Sequence, residues 1–290
     1  MSVPGLRRLR AFPNNQRQNG PSPVSDLLSH AEAVWEAVAP VLPGFTVEVL
    51  PSIDSTSSEL MRRARSGSLE PVLLTAEEQT AGRGRLGKGW HSKKGQSLAF
   101  SLGLPLAPTT WSGLSLAVGV SLAQSLHPDV RLKWPNDLWL QQRKLAGILV
   151  ETASNGESSS SPRTVVIGVG INIARPDASA VAATRPEGSN AMAAMAPAGL
   201  AELLVGITAG EVMERVVPAL VRDVLAFASH GFGAFAQRFA QLDALQGQMV
   251  QLSDGSRGKA CGVDDTGALQ VLTDRGMQAV TSAEVSVRPC

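Results

Sequence analysis

Residues 82–90, GRGRLGKGW, lie between two apolar runs at 71–78 (PVLLTAEE) and 97–104 (SLAFSLGL). The two runs are typical of strands, so residues 82–90 are predicted to be a glycine-rich basic loop that joins strand to strand. Glycine lets backbone N–H groups approach an anion, and arginine supplies paired donors to phosphate or carboxylate. The spacing nearly matches a P-loop, but Gly89 stands where a P-loop has Ser or Thr and no helix follows. A P-loop is therefore rejected, and a solvated basic turn or a nucleic-acid patch is the simpler alternative to a ligand site.

Four other stretches contain residues suited to chemistry. Residues 133–137 (KWPND) and 143–151 (RKLAGILVE) place charges around short apolar strands, where a carboxylate among lysines could hold Mg²⁺ near a phosphate. Residues 165–173 (VVIGVGINI) predict a buried strand whose glycines mark close approach of a ligand or another backbone. Residues 54–57 (DSTS) predict a helix start, where hydroxyls cap the helix or bind a small polar ligand. The alternatives are a solvated flank, a turn and plain packing.

Periodicity predicts the remaining elements. A helix over 26–39 is capped by Ser25, and a helix over 55–65 has Thr56 and Glu59 in capping-box spacing. Further predicted elements are a strand over 45–50, a helix over 111–126, and short strands at 129–134, 138–140, 145–150 and 164–173. Two helices are predicted over 199–229, broken near Gly206–Gly210, and over 231–244. From residue 246 a period of two predicts five short strands with turns at Asp254-Gly255, Thr266-Gly267 and Arg275-Gly276.

Length and charge exclude several classes of protein. The chain has 290 residues, enough for about two domains, and 26 Lys and Arg against 25 Asp and Glu give a formal net charge of +1. A protein that binds a nucleic-acid backbone usually carries a larger cationic excess. Two cysteines without a CxxC spacing exclude a zinc ribbon and a disulfide scaffold and fit a reducing compartment. With no membrane-length apolar run and no signal-peptide core, we expect a cytoplasmic protein.

These stretches together resemble a known family. GRGRLGKGW, KWPNDLWL, RKLAGILVE and GVGINI stand in the order and at about the spacing seen in biotin–protein ligases, and DSTSSEL and AEEQTAGRGR fit the same pattern. The resemblance covers about residues 45–290. It implies an α+β fold, with a class II synthetase-like catalytic domain over 25–245 in which helices flank a mixed sheet. It also implies an SH3-like β-barrel over 246–290, and residues 1–24 are expected to be a flexible tail.

The resemblance implies an ATP-dependent ligase. Such an enzyme adenylates biotin to biotinyl-5′-AMP and transfers biotin to a lysine of the biotin carboxyl carrier protein of acetyl-CoA carboxylase. Biotin and ATP are the substrates, Mg²⁺ arrives with ATP, and no residue is assigned as a metal ligand. Attack of a carboxylate on the α-phosphate brings anions together, so cations must neutralise the developing charge.

The resemblance also assigns roles to individual residues. The catalytic residues it implies are Lys144, Arg85 and Asp137. The biotin-binding residues it implies are Ser55, Thr56, Ser57, Gln79, Gly84, Arg85, Lys144, Gly147, Gly168 and Gly170. Those for ATP or the adenylate are Arg83, Arg85, Lys88, Trp90, Lys133, Asn136, Lys144 and Asn172. Residues 174–198 are expected to be a second ordering loop, over adenine.

The chain departs from the family pattern in two places. Leu86 and Lys88 stand where many relatives have Arg, and Lys88 keeps the charge without the fork geometry, which predicts weaker retention of the adenylate. Some relatives begin with a winged helix–turn–helix domain, and only about 44 residues precede the first predicted catalytic strand. We therefore expect the short form of the ligase, without DNA binding. Relatives often dimerise by side-by-side pairing of their sheets. A homodimer is therefore one of the oligomeric states open to this chain.

Two functions of other classes are weighed against the ligase. A lipoate or octanoate ligase-transferase shares this fold and a lysine resembling Lys144, but the glycine-arginine loop and the barrel argue against it. A non-enzymatic nucleic-acid binder could use the basic loop, but the net charge of +1 and the absence of Tyr argue against it.

Overall fold

The structure is a computed structural model that describes residues 26–67, 69–153, 163–177, 196–281 and 288–289. Its fold is α+β, with a seven-stranded mixed sheet and a separate five-stranded sheet built from the C-terminal residues. The helices are α1 Asp26–Val38, α2 Thr56–Arg65, α3 Leu114–Leu126, α4 Ala209–His230 and α5 Ala236–Leu242. The strands of the large sheet are β1 Thr46–Leu50, β2 Val72–Ala76, β3 Ser97–Leu106, β4 Arg131–Lys133, β5 Asp137–Leu140, β6 Arg143–Ala153 and β7 Arg163–Asn172. Those of the small sheet are β8 Met249–Gln251, β9 Arg257–Val263, β10 Leu269–Thr273, β11 Gly276–Val280 and β12 Arg288–Pro289.

The strand order of the large sheet brings the singled-out stretches to its middle. The order is β1-β2-β3-β7-β6-β5-β4; β1 and β2 run parallel, and the other neighbouring pairs run antiparallel. In this register Gly168 lies opposite Ser101, and Gly170 lies opposite Gly147. Because side chains alternate along a strand, these four positions and Asp137, the partner of Gly147, share one face of the sheet.

Helices cover both faces of the large sheet. α1, α3 and α4 bury one face in an extended apolar cluster that includes Val34, Val118, Val217 and Phe100. On the opposite face α2 packs in a smaller cluster with Leu60 at its centre. The smaller helix layer leaves part of that face open beyond the start of α2, beside the glycines of β6 and β7.

The first turn of α2 differs from the prediction in its cap. Ser55, not Thr56, is the N-cap, and its hydroxyl accepts from the backbone N–H of Ser58. The Thr56–Glu59 capping box is therefore wrong. Thr56 lies inside the helix and its hydroxyl turns toward the sheet, whereas Glu59 pairs with Arg62 and Arg63 along the helix surface.

The predicted helix over 199–229 is interrupted at the predicted break near Gly206–Gly210, and only the part after the break is an α-helix. Thr208 and Glu211 form a capping box that starts α4, and residues 200–202 make only a single 3₁₀ turn. α4 then continues through Pro218 to His230. Its buried apolar stripe against α1 and α3 outweighs the backbone hydrogen bond that proline cannot make. The predicted helix over 231–244 is a 3₁₀ turn followed by α5.

The other predicted elements are confirmed within a few residues. Five C-terminal strands form, and glycines with positive φ stand at the three predicted turns: Gly255, Gly267 and Gly276. The expected tail over 1–24, the Ser25 cap and most of the segment over 174–198 lie outside the described residues.

The joint between the two sheets contains a carboxyl group that is poorly solvated. Asp243 follows α5, and the backbone N–H of Ala244 donates to Leu132 O of β4 at 2.9 Å. The Oδ1 of Asp243 accepts from Leu245 N at 2.8 Å, whereas its Oδ2 is buried with no hydrogen-bond partner among the described residues. Burial raises the pKa of Asp243 to about 6, against the smaller opposing effect of backbone hydrogen bonds.

Replacing Asp243 with asparagine is expected to stabilise the protein near neutral pH. Because the folded pKa lies above the ordinary 3.8, folding is penalised as pH rises from about 4 to about 6, and the full penalty persists above that window. It amounts to at most about 3 kcal/mol. Thermal unfolding at about pH 8 and about pH 4 is expected to show a higher Tm for the variant only at the higher pH. Asp274→Asn, an exposed carboxyl, is the control for net charge. An equal Tm difference at both pH values would contradict the assignment.

Candidate active site

A cluster of buried hydroxyl groups lies where α2 meets the sheet. Ser55, Thr56 and Ser57 are all nearly inaccessible to solvent. The hydroxyls of Thr56 and Ser57 lie 2.8 Å and 3.0 Å from Ser101 Oγ, and Gln79 Oε1 accepts from Thr56 N at 2.8 Å and from Thr56 Oγ1 at 3.1 Å. Ser101 was not predicted, although a serine inside the apolar run SLAFSLGL was the available signal. The cluster offers donors and acceptors to a buried polar group.

A glycine floor extends from this cluster across β7 to β6. A Cβ at Gly168 would collide with Ser57 Oγ, and one at Gly170 would collide with the indole of Trp90. At Gly147 a Cβ would lie 3.2 Å from Lys144 Nζ. Side chains therefore pack directly on the sheet backbone at all three positions, and we use "glycine floor" for Gly147, Gly168 and Gly170 together.

Trp90 covers the middle of the glycine floor. Its indole is half-buried against Gly170, and Lys144 Nζ lies 6.0 Å from the ring centroid. The indole Nε1 is buried without a hydrogen-bond partner among the described residues. A buried unpaired donor is costly, so this ring gains free energy if a ligand or a small rotation gives the N–H an acceptor.

An ion pair stands at the far end of the glycine floor. Lys144 Nζ lies 2.8 Å from Asp137 Oδ1, with the lysine side chain 42% exposed and the aspartate 19% exposed. A register shift between β5 and β6 turns Lys144 toward the face that carries Gly147. An ammonium held by one carboxylate keeps N–H donors for another anion.

Arg85 reaches the same end of the site from the basic loop. Its Nη1 donates to Asn136 Oδ1 at 3.2 Å, and Asn136 is fixed by donating to Ile148 O at 2.9 Å and accepting from Ile148 N at 3.0 Å. Burial lowers the pKa of Arg85, and the nearby charge of Asp137 opposes that shift. Arginine remains cationic throughout the accessible pH range. Two cations, Arg85 and Lys144, therefore bind the neighbouring residues Asn136 and Asp137.

The basic loop is tied back on itself. Gly84 N donates to Lys88 O at 2.7 Å, and Arg83 Nη2 pairs with Glu151 Oε2 of β6 at 2.6 Å. Leu86 stands at the tip with φ 56° and 58% exposure, in a backbone region that favours glycine. Lys88 points to solvent and makes no ion pair within the described ranges. Its predicted contact with the adenylate remains a prediction.

Two more predicted residues have partners of their own. Lys133 Nζ lies 5.0 Å above the ring of Trp139. Trp139 lies on β5 and pairs with Lys144 on the next strand, β6. Asn172 Nδ2 donates to Ala198 O at 3.0 Å, and Ala198 N donates to Lys144 O at 2.9 Å. Asn172 thus fixes the backbone at residue 198 beside Lys144. The predicted adenylate contacts of both residues remain predictions.

The chain that follows β7 comes back at Gly199 to contact the residues just after the end of β7. Gly199 packs on the backbone of Ala174 and Arg175 so closely that a Cβ there would lie 2.4 Å from Ala174 C. Glu202 clamps the return, because it accepts from Gly199 N at 2.9 Å and pairs with Arg143 at 2.7 Å. Both ends of the connection between residues 175 and 199 are therefore held next to the ion pair of Lys144 and Asp137.

The described residues do not assemble a resident metal site. No group of three or more His, Cys, Asp and Glu side chains that could hold a metal occurs in the part of the chain that the structure describes. Asp137 is also engaged by Lys144. No helix in the described ranges is long and apolar enough to cross a membrane.

Comparison with known proteins assigns this site to a family. Residues 49–172 match the biotin/lipoate A/B protein ligase family, and residues 247–288 match the biotin protein ligase C-terminal domain. The bifunctional ligase/repressor BirA of Escherichia coli is 34% identical over 262 residues, which are 85% of this chain and 75% of that protein. The chain belongs to the biotin protein ligase family. A further relative, the biotin–[acetyl-CoA-carboxylase] ligase of Paracoccus denitrificans, is 31% identical over 251 residues and is covered to 98%.

Solved structures of biotin protein ligases share the fold. The Aquifex aeolicus enzyme in complex with biotin and ATP superposes with a TM-score of 0.65 at 27% identity, over 84% of this chain and 99% of that one. A mutant of the same enzyme in complex with biotin gives a TM-score of 0.67 at 26% identity, over 84% and 98% of the two chains. The family membership confirms the predicted mixed-sheet α+β fold with a small C-terminal sheet.

Replacing Gly170 with alanine tests the role of the glycine floor in this family member. The added methyl group would collide with the Trp90 indole, so the ring has to leave its place or the strand has to shift. We expect the KM for biotin to rise by about tenfold or more, which corresponds to about 1.4 kcal/mol of lost binding. Gly233→Ala, at an exposed position without a positive φ and with open space around its Cβ position, is the control for glycine substitution. An unchanged KM for biotin would show that the ligand does not use this part of the floor.

Proposed function

We propose that the protein is an ATP-dependent biotin–protein ligase and that the site built on the glycine floor is its active centre. The observation that carries the proposal is the order in which three kinds of chemical group lie along the glycine floor. A hydroxyl cluster stands at Gly168, an indole at Gly170, and an ammonium at Gly147. Strand geometry puts the Cα atoms of Gly168 and Gly147, the two ends of the glycine floor, about 8 Å apart. A ligand with a polar head, an apolar middle and an acid tail fits that order, as biotin does.

The hydroxyl cluster binds the ureido head of biotin in this proposal. Ser55, Thr56, Ser57 and Gln79 supply the predicted contacts, and Ser101 joins them because it bonds both Thr56 and Ser57. A buried urea needs donors and acceptors together, and an unpaired one costs about 1–3 kcal/mol. Hydroxyls suit this task because each both donates and accepts.

The cationic end carries out adenylation. The biotin carboxylate attacks the α-phosphate of ATP, forming an acyl–phosphate bond while the bond to the β-phosphate breaks and pyrophosphate leaves. Negative charge develops on the α-phosphate oxygens, and Lys144 and Arg85 stand where they can stabilise it. Arg83, Lys88, Trp90, Lys133, Asn136 and Asn172 are the further residues proposed for the nucleotide.

Transfer completes the reaction. A lysine amine of a biotin carrier domain attacks the acyl carbon of biotinyl-5′-AMP, AMP leaves, and the proton of the amine is lost. Asp137 borders the reacting carboxyl and is proposed to orient the incoming lysine. The basic loop at 82–90 excludes water from the mixed anhydride, which would otherwise hydrolyse.

The finer features of the architecture belong to the same proposal. We assign the catalytic domain to residues 25–245, with a class II synthetase-like arrangement, and a small SH3-like barrel to 246–290. A cytoplasmic location, side-by-side homodimers and the absence of DNA binding are further parts of the proposal. The carrier partner is the biotin carboxyl carrier protein of acetyl-CoA carboxylase.

Biotin-dependent release of pyrophosphate from MgATP is the decisive assay. We expect release with biotin, little with lipoate or octanoate, and transfer of biotin when a carrier domain is added. Release with lipoate in place of biotin would assign the related lipoate activity to this site. If no acid stimulates release, the chain shares the family's fold without its chemistry.

A further inference from the structure

One turn of the small sheet touches the catalytic part of the chain. The turn over 264–268 joins β9 to β10, and its Thr266 O accepts from Ser112 Oγ at 2.6 Å. Gly267, with φ +81°, lies so close to Gly113 that an added Cβ would be 3.0 Å from Gly113 Cα. The two backbones therefore meet just before α3 begins.

The turn is internally braced. The Asp264 carboxylate accepts from Thr266 N at 2.9 Å, from Thr266 Oγ1 at 2.7 Å and from Ala268 N at 3.0 Å. Its other oxygen accepts from Gln270 Nε2 at 3.0 Å. Four bonds to one side chain fix the direction in which the carbonyl of Gly267 points.

Trp134 connects this carbonyl to the catalytic residues. Its side chain is 1% exposed, and its Nε1 donates to Gly267 O at 3.0 Å. Trp134 stands two residues before Asn136 and three before Asp137, and the carbonyl of the intervening Pro135 accepts from Ser115 Oγ at 3.2 Å. The indole thus joins the small sheet to the segment that receives Arg85 and Lys144.

A half-open cleft lies beside this contact. It measures about 420 Å³ and is lined by Arg85, Trp134, Pro135, Ile148 and Gly267, among others. Because the segment borders this cleft at Pro135, protein atoms do not pack on it from that side, and Arg85 lines the same cleft. Discrete hydrogen bonds must then set its position.

We propose that Trp134 is a positioning residue through which the 264–268 turn of the small sheet holds Asn136 and Asp137, the partners of Arg85 and Lys144, in place for adenylation. The proposal rests on the proposed function, because it needs Arg85 and Lys144 to act on the reacting groups. The small sheet then contributes to chemistry without touching substrate. Its contribution should appear in kcat, since the hydroxyl cluster that binds the head of biotin lies on another element.

The test is Trp134→Phe, which keeps an apolar aromatic ring and removes the N–H donor. We expect kcat for biotin-dependent pyrophosphate release to fall by about 10- to 100-fold, as small displacements of reacting groups do, with the KM for biotin changed less than about twofold. Asp264→Asn loosens the turn and leaves the indole intact, so a smaller loss of kcat in the same direction is expected. Circular dichroism and thermal unfolding establish that both variants are folded.

Ser112→Ala is the matched control. It removes the other side-chain bond to the same turn but has no link to Asn136, so kcat is expected to stay within about twofold of wild type. An unchanged kcat in Trp134→Phe would overturn the proposal. So would a kcat loss that Ser112→Ala shares, or a rise in KM that matches the loss in kcat. The failure of the proposed function itself would be distinct, because the wild-type protein would then release no pyrophosphate.

Discussion

Lys144→Ala is expected to abolish biotin-dependent pyrophosphate release. The substitution removes the ammonium that faces the reacting anions and leaves Asp137, only 19% exposed, without its partner. The negative charge of Asp137 then adds to the repulsion between carboxylate and phosphate. Loss of one preorganised donor costs about 100- to 1000-fold in kcat, and the unpaired carboxylate adds to that loss, so we expect at least about 1000-fold.

The measurement is steady-state release of pyrophosphate at saturating biotin and MgATP. Lys259→Ala, an exposed lysine on β9, is the control for loss of a surface ammonium. Normal release by Lys144→Ala would remove this residue from the mechanism. The double variant Lys144→Ala, Asp137→Asn separates the two causes, because it should recover the part of the loss that arises from the unpaired carboxylate.

Arg85→Ala is expected to weaken the retention of biotinyl-5′-AMP by the enzyme more than its formation. Arg85 lies in the basic loop and donates to Asn136, so its removal frees the loop from the segment at 136–137. We expect the Kd for biotin to rise by about 10- to 100-fold, because a charge-assisted hydrogen bond contributes about 1.5–3 kcal/mol. Biotinyl-5′-AMP should then leave the enzyme and hydrolyse in solution.

Gel filtration of the enzyme after reaction with labelled biotin and MgATP measures this retention. Wild-type enzyme should carry the label through the column, and Arg85→Ala should lose it. Arg222→Ala, an exposed arginine on α4, is the control for loss of a guanidinium. Retention equal to that of wild type would show that the loop does not close through Arg85.

The sequence singled out most of the residues that the structure brings together, because its motifs are local, and their roles stay predictions. The hydroxyls at 55–57 follow from a helix start, and Gly147, Gly168 and Gly170 follow from glycines inside apolar strands. The structure brings these groups together with Lys144 and Arg85, as the resemblance implied. Except for Arg85, which lies in the basic loop, each of these residues lies on a strand or helix that the hydrophobic period predicts.

The rest depends on pairing between distant residues, which no local pattern reveals. Ser101 and Glu151 enter the site only because β3 and β6 both neighbour β7. Ser55 is the N-cap of α2, because Thr56 instead forms hydrogen bonds with Ser101 and Gln79. The start of α4 is different, because the Thr208–Glu211 capping box that sets it is a local pattern.

The closed base between Arg175 and Gly199 has a consequence for how the chain can vary in length. Because Gly199 packs on residues 174–175 and Glu202 clamps it through Arg143, the two ends of the connection meet independently of what lies between them. Doubling the number of residues in such a closed connection costs only about 0.6 kcal/mol of chain entropy. Insertions between residues 175 and 199 should therefore cost the fold little stability, whereas one that displaces the predicted adenine loop at 174–198 should lower activity.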